Sequence, residues 1–189
     1  MLTYETRDIS IELPDARLRL RPWQEADIGQ LLEAVHESVD SVGRWLPWCH
    51  TGYGHDDAVE WIASCRAGWL VGKHFAFALF DVDSGQLLGS AGLSQVDPLH
   101  RRANLGYWVR QSRQRRGVGA AAARAVARFG FEQLGLLRIE IVVLPHNRAS
   151  RTVAEKTGAA FEAIARNRIW MRNSAHDAAV YGLLARDLA

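Results

Sequence analysis

The chain has 189 residues, 48% of them hydrophobic and 23% charged, and a formal net charge of +2. That composition supports a packed core and excludes a disordered chain, and the length fits one domain spanning 1–189. No run reaches the roughly eighteen apolar residues of a membrane span, and the N-terminal MLTYETRDIS has no signal-like apolar core. The two cysteines, Cys49 and Cys65, make neither a disulfide framework nor a metal knuckle. A cytoplasmic protein with no metal and no membrane partner is the expectation.

Residues 16–22, ARLRLRP, alternate apolar and basic side chains and predict a first strand. Residues 26–42 place Ile28, Leu31, Leu32, Val35 and Val39 at helical spacing. A loop follows at 44–54, RWLPWCHTGYG, and a second helix at 56–70, with Val59, Ile62 and Trp69 facing inward. Strands at 74–83 and 86–96 flank an Asp-Ser-Gly turn, and 103–110, ANLGYWVR, reads as another strand. The longest helical pattern runs over 117–134, followed by an apolar strand at 136–144. A helix at 147–157 stops at Gly158, and strands at 161–171 and 178–184 close the chain. The order predicts an α/β fold, with helices inserted in a mostly antiparallel run of strands.

Charge is unevenly spread. Residues 24–60 hold eight acids, Glu25, Asp27, Glu33, Glu37, Asp40, Asp56, Asp57 and Glu60, against Arg44 alone. Residues 97–128 hold eight arginines and one acid. Two partners of opposite sign, an anion at the arginines and a cation at the acids, would fit that asymmetry.

The long helix opens on Gln114-Arg115-Arg116-Gly117-Val118-Gly119-Ala120 and carries no acid before Glu132. The first N–H groups of a helix lack internal partners, and the dipole makes that end positive, so the turn suits a phosphate. A Walker A loop is excluded, because no Gly-Lys-Ser/Thr is present. The run from Gly117 to Ala122 also fits the dinucleotide pattern G-x-G-x-x-A, with Glu140 about twenty residues on, which keeps a nicotinamide-dependent oxidoreductase as an alternative. Against it, an Arg-rich linker separates the turn from its strand, and Glu140 sits mid-strand. A nucleic-acid module is ranked low, because the arginine stretch has no interleaved exposed aromatics and no named nucleic-acid motif.

Gly106-Tyr107-Trp108, Gln114-x-x-Gly117-x-Gly119, Asn147-x-x-Ser150 and Gly158, in that order, resemble the GNAT superfamily of N-acetyltransferases. Together with Arg44-Trp45-Leu46-Pro47-Trp48, they are similar to the RimJ/RimL branch, which acetylates the N-termini of ribosomal proteins. The resemblance implies the GNAT fold, a mixed, mostly antiparallel twisted sheet flanked by helices. It implies an acceptor-side helical insertion at about 24–72 and an acetyl-CoA-binding core at about 103–160. The activity implied is acetyl transfer from acetyl-CoA to a primary amine, by direct attack in a ternary complex and without a metal. The acceptor is a protein N-terminus or a small cationic amine such as a polyamine or aminoglycoside, and a homodimer is possible.

By the same resemblance, the amides of Arg115, Arg116, Gly117, Val118, Gly119 and Ala120, with Gln114 beside them, hold the pyrophosphate. Arg113, Arg115 and Arg116 are candidates for the 3′-phosphate. Backbone groups of Trp108, Val109 and Arg110 hold the pantetheine arm, and the Val109 N–H polarises the thioester carbonyl. Asn147 binds pantetheine or caps its helix, and Ser150 binds and supplies the proton to the departing thiolate, with Tyr181 a further catalytic candidate. Trp45, Trp48 and His50 are the substrate-side candidates, with His50, His55 and His74 available as proton relays. Three positions depart from the family. Ala154 stands where many members have a tyrosine acid, Asn104 where the RimJ/RimL branch often has a glutamate, and Ala159 where a phenylalanine is usual.

Overall fold

The computed structural model describes residues 9–188. Its strands are β1 (Ile11–Leu13), β2 (Leu18–Pro22), β3 (Phe75–Asp81), β4 (Leu87–Asp97), β5 (Arg102–Val109), β6 (Arg138–Val143), β7 (Ala160–Met171) and β8 (Ser174–Leu183). Its α-helices are α1 (Ile28–Glu37), α2 (His55–Leu70), α3 (Val118–Glu132) and α4 (Arg148–Thr157). The strands form one sheet in the order β1-β2-β3-β4-β5-β6-β8-β7, antiparallel throughout except for the parallel pair β5–β6.

The two-residue period of the strands divides the core between the faces of the sheet. In β3, Phe75, Phe77 and Leu79 pack with α3, whereas Ala76, Ala78 and Phe80 pack with α1 and α2. The α3 face adds Trp69, whose indole contacts Phe75, Phe77 and Phe129 edge-on or tilted and donates to the Ala76 carbonyl at 3.0 Å. The two inserted helices, both between β2 and β3, therefore cover one face, and α3 and α4 cover the other.

Three local readings are corrected. Strand β1 was not expected; its three residues pair with β2 through a short 3₁₀ turn opened by Pro14. Helix α1 stops at Glu37, short of residue 42, because the Ser38 hydroxyl bonds back to the Ala34 carbonyl at 2.6 Å while the Ser38 carbonyl gathers Val42 N–H. In α2 the buried stripe is Ala58, Ile62, Cys65 and Trp69, which leaves Val59 41% exposed on the other face.

The feature that shapes the site is the divergence of β5 from β6. Only Arg102, Ala103 and Asn104 pair with β6, at Arg138, Ile139 and Glu140. Beyond that seam β6 continues against β8 and β5 continues against β4, so a gap opens along residues 105–109.

Candidate active site

Backbone alternation decides what faces the gap. Arg110 N–H donates to the Leu88 carbonyl at 2.8 Å, and Val109 stands opposite Gly89 in the β4–β5 register. In an antiparallel pair, hydrogen-bonded and non-hydrogen-bonded positions alternate, so the N–H groups of Tyr107 and Val109 point away from β4 and into the gap. The Val109 carbonyl on the same side accepts from Gln114 Nε2 at 2.9 Å, which leaves the Val109 N–H directed into the opening.

The expectation for Arg110 is corrected. Period two places Trp108 and Arg110 on the α1 face, opposite Tyr107 and Val109. Arg110 is 2% exposed; its guanidinium is bound by Glu37, Glu33 and the Leu87 carbonyl, and its backbone N–H and C=O by Leu88 and Arg113. No polar group of Arg110 is left for a ligand. Burial acts to raise the pKa of Glu37, but Arg110 and the Ser112 N–H outweigh it and hold the carboxyl at about 2.

The loop from β5 to α3 is built as an anion cradle. Arg115 at φ 62° and Gly117 at φ 82° take left-handed backbone two residues apart, the kind of bend that gathers N–H groups into an anion-binding nest. Gly117 has no side-chain cap, α3 has no acid in its first turn, and the amides of 115–120 meet no acceptor among the described residues. Arg115 and Arg116 are exposed and have no ion-pair partner among the described residues, while Arg113 is tied to Gln86 Oε1 at 2.6 Å. Gln114 has a different place from the one expected. Its amide bonds Val109 and Ser41 Oγ, pinning the cradle to the end of β5 and to the loop after α1. Gly119 is a packing position, with Val153 and Val109 methyls at 3.4 and 3.6 Å from where its Cβ would stand.

Helix α4 begins at the far side of the gap. Asn147 Oδ1 accepts from Ser150 N–H at 3.1 Å, so Asn147 caps the helix and leaves its amide nitrogen free of protein partners among the described residues. Tyr107 reaches across from β5. Its hydroxyl donates to the Ser150 carbonyl at 2.9 Å and lies 3.2 Å from Ser150 Oγ. Burial pushes the Tyr107 phenol well above its ordinary pKa, so it stays protonated.

Tyr181 is corrected. It is fully buried, accepts from Arg151 Nε at 2.8 Å and donates to Glu155 Oε1 at 3.1 Å. With no exposed surface, it fastens α4 to β8 and meets no acceptor.

Of the eight acids over 24–60, Asp27 and Glu37 are drawn off the surface and the other six stay exposed, several of them with partners. Asp27 is buried against Arg21, Glu25 pairs with Arg66, and Glu33 and Glu37 share Arg110. Asp57 caps the Gly54 N–H at 2.8 Å. The cleft beside the gap, about 360 Å³, is lined instead by Arg44, Trp45, Leu144, His146, Met171, Arg172, Ser174 and His176. Trp45 packs on His146, next to Asn147. Trp48 is 37% exposed and stacks edge-on against Trp108 and Tyr53. His50 lines a shallower depression shared with Arg44 and Arg172.

The relay candidates separate. His55 is exposed at the start of α2, and His74 is half-buried against Trp61 with its pKa lowered by burial. The histidines of the cleft are His146 and His176, which sequence spacing gave no reason to single out. Asn104 Oδ1 is buried without a hydrogen-bond partner among the described residues. Glu140 lies opposite Asn104 in register and pairs with Arg138, so it is not placed to read a ribose, and the oxidoreductase alternative falls.

Comparison with known proteins agrees with this geometry. Residues 17–160 match the model of the acetyltransferase (GNAT) domain. A protein of Bacillus subtilis strain 168 named "Putative ribosomal N-acetyltransferase YdaF" is 29% identical over 172 residues, covering 90% of this chain and 92% of that one. A second from the same organism, named "Uncharacterized N-acetyltransferase YoaA", is 31% identical over 68% of this chain and 73% of its own. The solved structure described as a "putative ribosomal-protein-serine acetyltransferase" from Vibrio cholerae superposes with a TM-score of 0.81 at 27% identity, covering 95% of this chain and 99% of that one. The chain belongs to the GNAT acetyltransferase family and is an acetyl-CoA-dependent N-acetyltransferase.

Proposed function

We propose that this enzyme acetylates the N-terminal α-amine of a protein, of the ribosomal-protein type, by direct attack on acetyl-CoA in a ternary complex. The observation that carries the reading is the pairing of two sets of backbone donors without partners among the described residues, the Val109 N–H in the β5–β6 gap and the amides of 115–120 at the start of α3. The cradle fits a pyrophosphate, and the gap fits an extended arm that pairs with strand edges. The names given to the B. subtilis and V. cholerae relatives support the ribosomal acceptor.

In this reading the residues divide the work. Amides of Arg115, Arg116, Gly117, Val118, Gly119 and Ala120 hold the diphosphate, with the Arg115 and Arg116 side chains beside it. The Asn147 amide nitrogen and the free N–H groups of β5 orient the arm. Val109 N–H donates to the thioester carbonyl as it gains negative charge. Ser150 Oγ gives its proton to the leaving thiolate and takes up the one the attacking amine sheds, while Tyr107 holds the Ser150 backbone in place. No carboxylate base is needed in the cleft, because an α-amine with a pKa of about 7.7–8.0 is already partly neutral near pH 7. A small cationic amine is less well supported, since no carboxylate lines the cleft beside the gap. The two free, buried cysteines suit a reducing cytoplasm. The exposed Phe161, Ile164 and Trp170 on β7 suit a homodimer.

Calorimetric titration with acetyl-CoA, with NAD as control, tests the donor. Intact-mass analysis of candidate ribosomal proteins after incubation tests the acceptor. Saturable acetyl-CoA binding and a gain of one acetyl group at the N-terminal residue are expected; acetylation confined to lysine side chains or small amines would refute the reading.

A further inference from the structure

The charge of the acceptor cleft deepens the proposed function and rests on it. Two guanidinium groups face this cleft, and each is held in place. Arg172 sits with Asn173 in the tip of the β7–β8 hairpin, both at positive φ, the geometry of a tight two-residue turn. It reaches across to donate to the Gly43 carbonyl at 2.9 Å, so the hairpin tip is latched onto the loop after α1. Arg44 lies over the Trp45 ring at 5.1 Å. His146 packs on the other side of Trp45, and His176 Nε2 is 2.7 Å from Ser174 Oγ.

No carboxylate lines this cleft, and neither Arg44 nor Arg172 has an ion-pair partner among the described residues. Asp40 lies in the neighbouring depression, beyond the two arginines. Leu144 and His146 of the lining lead directly into Asn147, so the cleft opens at the end of the gap where the thioester would lie. A cationic acceptor would be repelled there, and a carboxylate would meet two exposed guanidiniums without ion-pair partners among the described residues, each able to make charge-assisted bonds to it.

We propose that the acceptor is a primary amine that also carries a carboxylate, namely a protein N-terminus with Asp or Glu among the residues just after the acetylated one. Arg44 and Arg172 hold that carboxylate while the α-amine reaches the Val109–Ser150 end of the gap. A free amino acid offers the same pairing of amine and carboxylate, so the test separates the two sources.

The experiment compares C-terminally amidated peptides that begin Ser-Glu-Glu, Ser-Gln-Gln and Ser-Lys-Lys, and free serine against serinamide, by acetyl transfer with saturating acetyl-CoA. The Glu peptide is expected to exceed the Gln peptide in kcat/KM by at least about tenfold, chiefly through KM, with the Lys peptide lowest. Arg44→Glu should reverse the order of the Glu and Lys peptides while acetyl-CoA binding, read by calorimetry, persists. Equal rates on the three peptides, a wild-type preference for Lys, or an unchanged order in Arg44→Glu would overturn the proposal. A preference for serine over serinamide with no discrimination among peptides would keep the carboxylate site but overturn the protein acceptor. Bound acetyl-CoA with no transfer to any of these amines would overturn the proposed function itself.

Discussion

Glu37, at the last turn of α1, accepts from Arg110 Nε at 3.0 Å, and this contact ties the acceptor-side helices to the end of the donor strand. Ser112 N–H completes the same carboxylate at 2.7 Å, so Glu37 also anchors the start of the phosphate loop. Ser38, one residue on, accepts from Gln111 N–H at 3.0 Å. Two adjacent residues at the end of one helix thus set the position of the cradle.

The first prediction concerns pH. The folded-state pKa of Glu37 is depressed from 4.5 to about 2, so its stabilisation is complete above the unfolded value and is lost as pH falls from about 4.5 towards 2. Glu37→Gln should lower stability near pH 7 by about 3 kcal/mol, since it also leaves the buried Arg110 short of a partner. Urea unfolding of both proteins from pH 7 to pH 3 checks this. The gap between them should shrink with acid, and a gap independent of pH would remove the ion pair as its cause.

A second prediction addresses proton delivery. Ser150→Ala should reduce kcat at least about tenfold and leave acetyl-CoA affinity within about twofold. Tyr107→Phe should reduce kcat less, and the double variant should be no worse than Ser150→Ala, because the two hydroxyls act as one unit. Additive losses in steady-state kinetics would show that they act separately.

The glycines of the cradle should respond differently from one another. Gly117 has open space around it but φ of 82°, so Gly117→Ala should cost about 1 kcal/mol and distort the amides, raising the acetyl-CoA Kd roughly tenfold. Gly119→Ala should be tolerated, because its Cβ would make ordinary contacts. Gly119→Leu would push against Val153 and Val109, and should lower the melting temperature as well as coenzyme affinity. Thermal melts with and without acetyl-CoA distinguish these outcomes.

Tyr181 gives a negative control. Tyr181→Phe removes two hydrogen bonds from a buried hydroxyl and should cost about 1–2 kcal/mol of stability, while kcat changes less than about twofold. A tenfold fall in kcat with unchanged stability would restore it to the chemistry.

The chain order and the cradle were legible because they are local. Alternation, helical spacing and the glycine turn each occupy a few consecutive residues, and α3 and α4 begin close to where those patterns place them. What escaped was what depends on distant pairing. Arg110 sits one residue beyond the Val109 position in a basic stretch, and only the strand's period and the approach of α1 show that it belongs to Glu37. The partners of Asp27, Glu25 and Glu37 escaped because Arg21, Arg66 and Arg110 lie outside residues 24–60 or on another element. The cleft's own charges come from the 44–45 loop, the end of β6 and the β7–β8 hairpin, whose meeting leaves no trace in any one segment.

The short parallel seam at Arg102–Asn104 has a mechanical consequence. Two half-sheets, β1–β5 and β6–β8, share only three facing residues along their backbone, and the rest of their common border is an open slot between rigid slabs. A donor molecule lying in that slot would act as mortar, bonding to both banks and to the helix above. Its arrival should slow hydrogen exchange at Tyr107 and Val109 far more than in β3, whose edges are already filled by neighbours. The enzyme would then be stiffest when loaded, with its acceptor cleft framed by a sheet that the donor has closed.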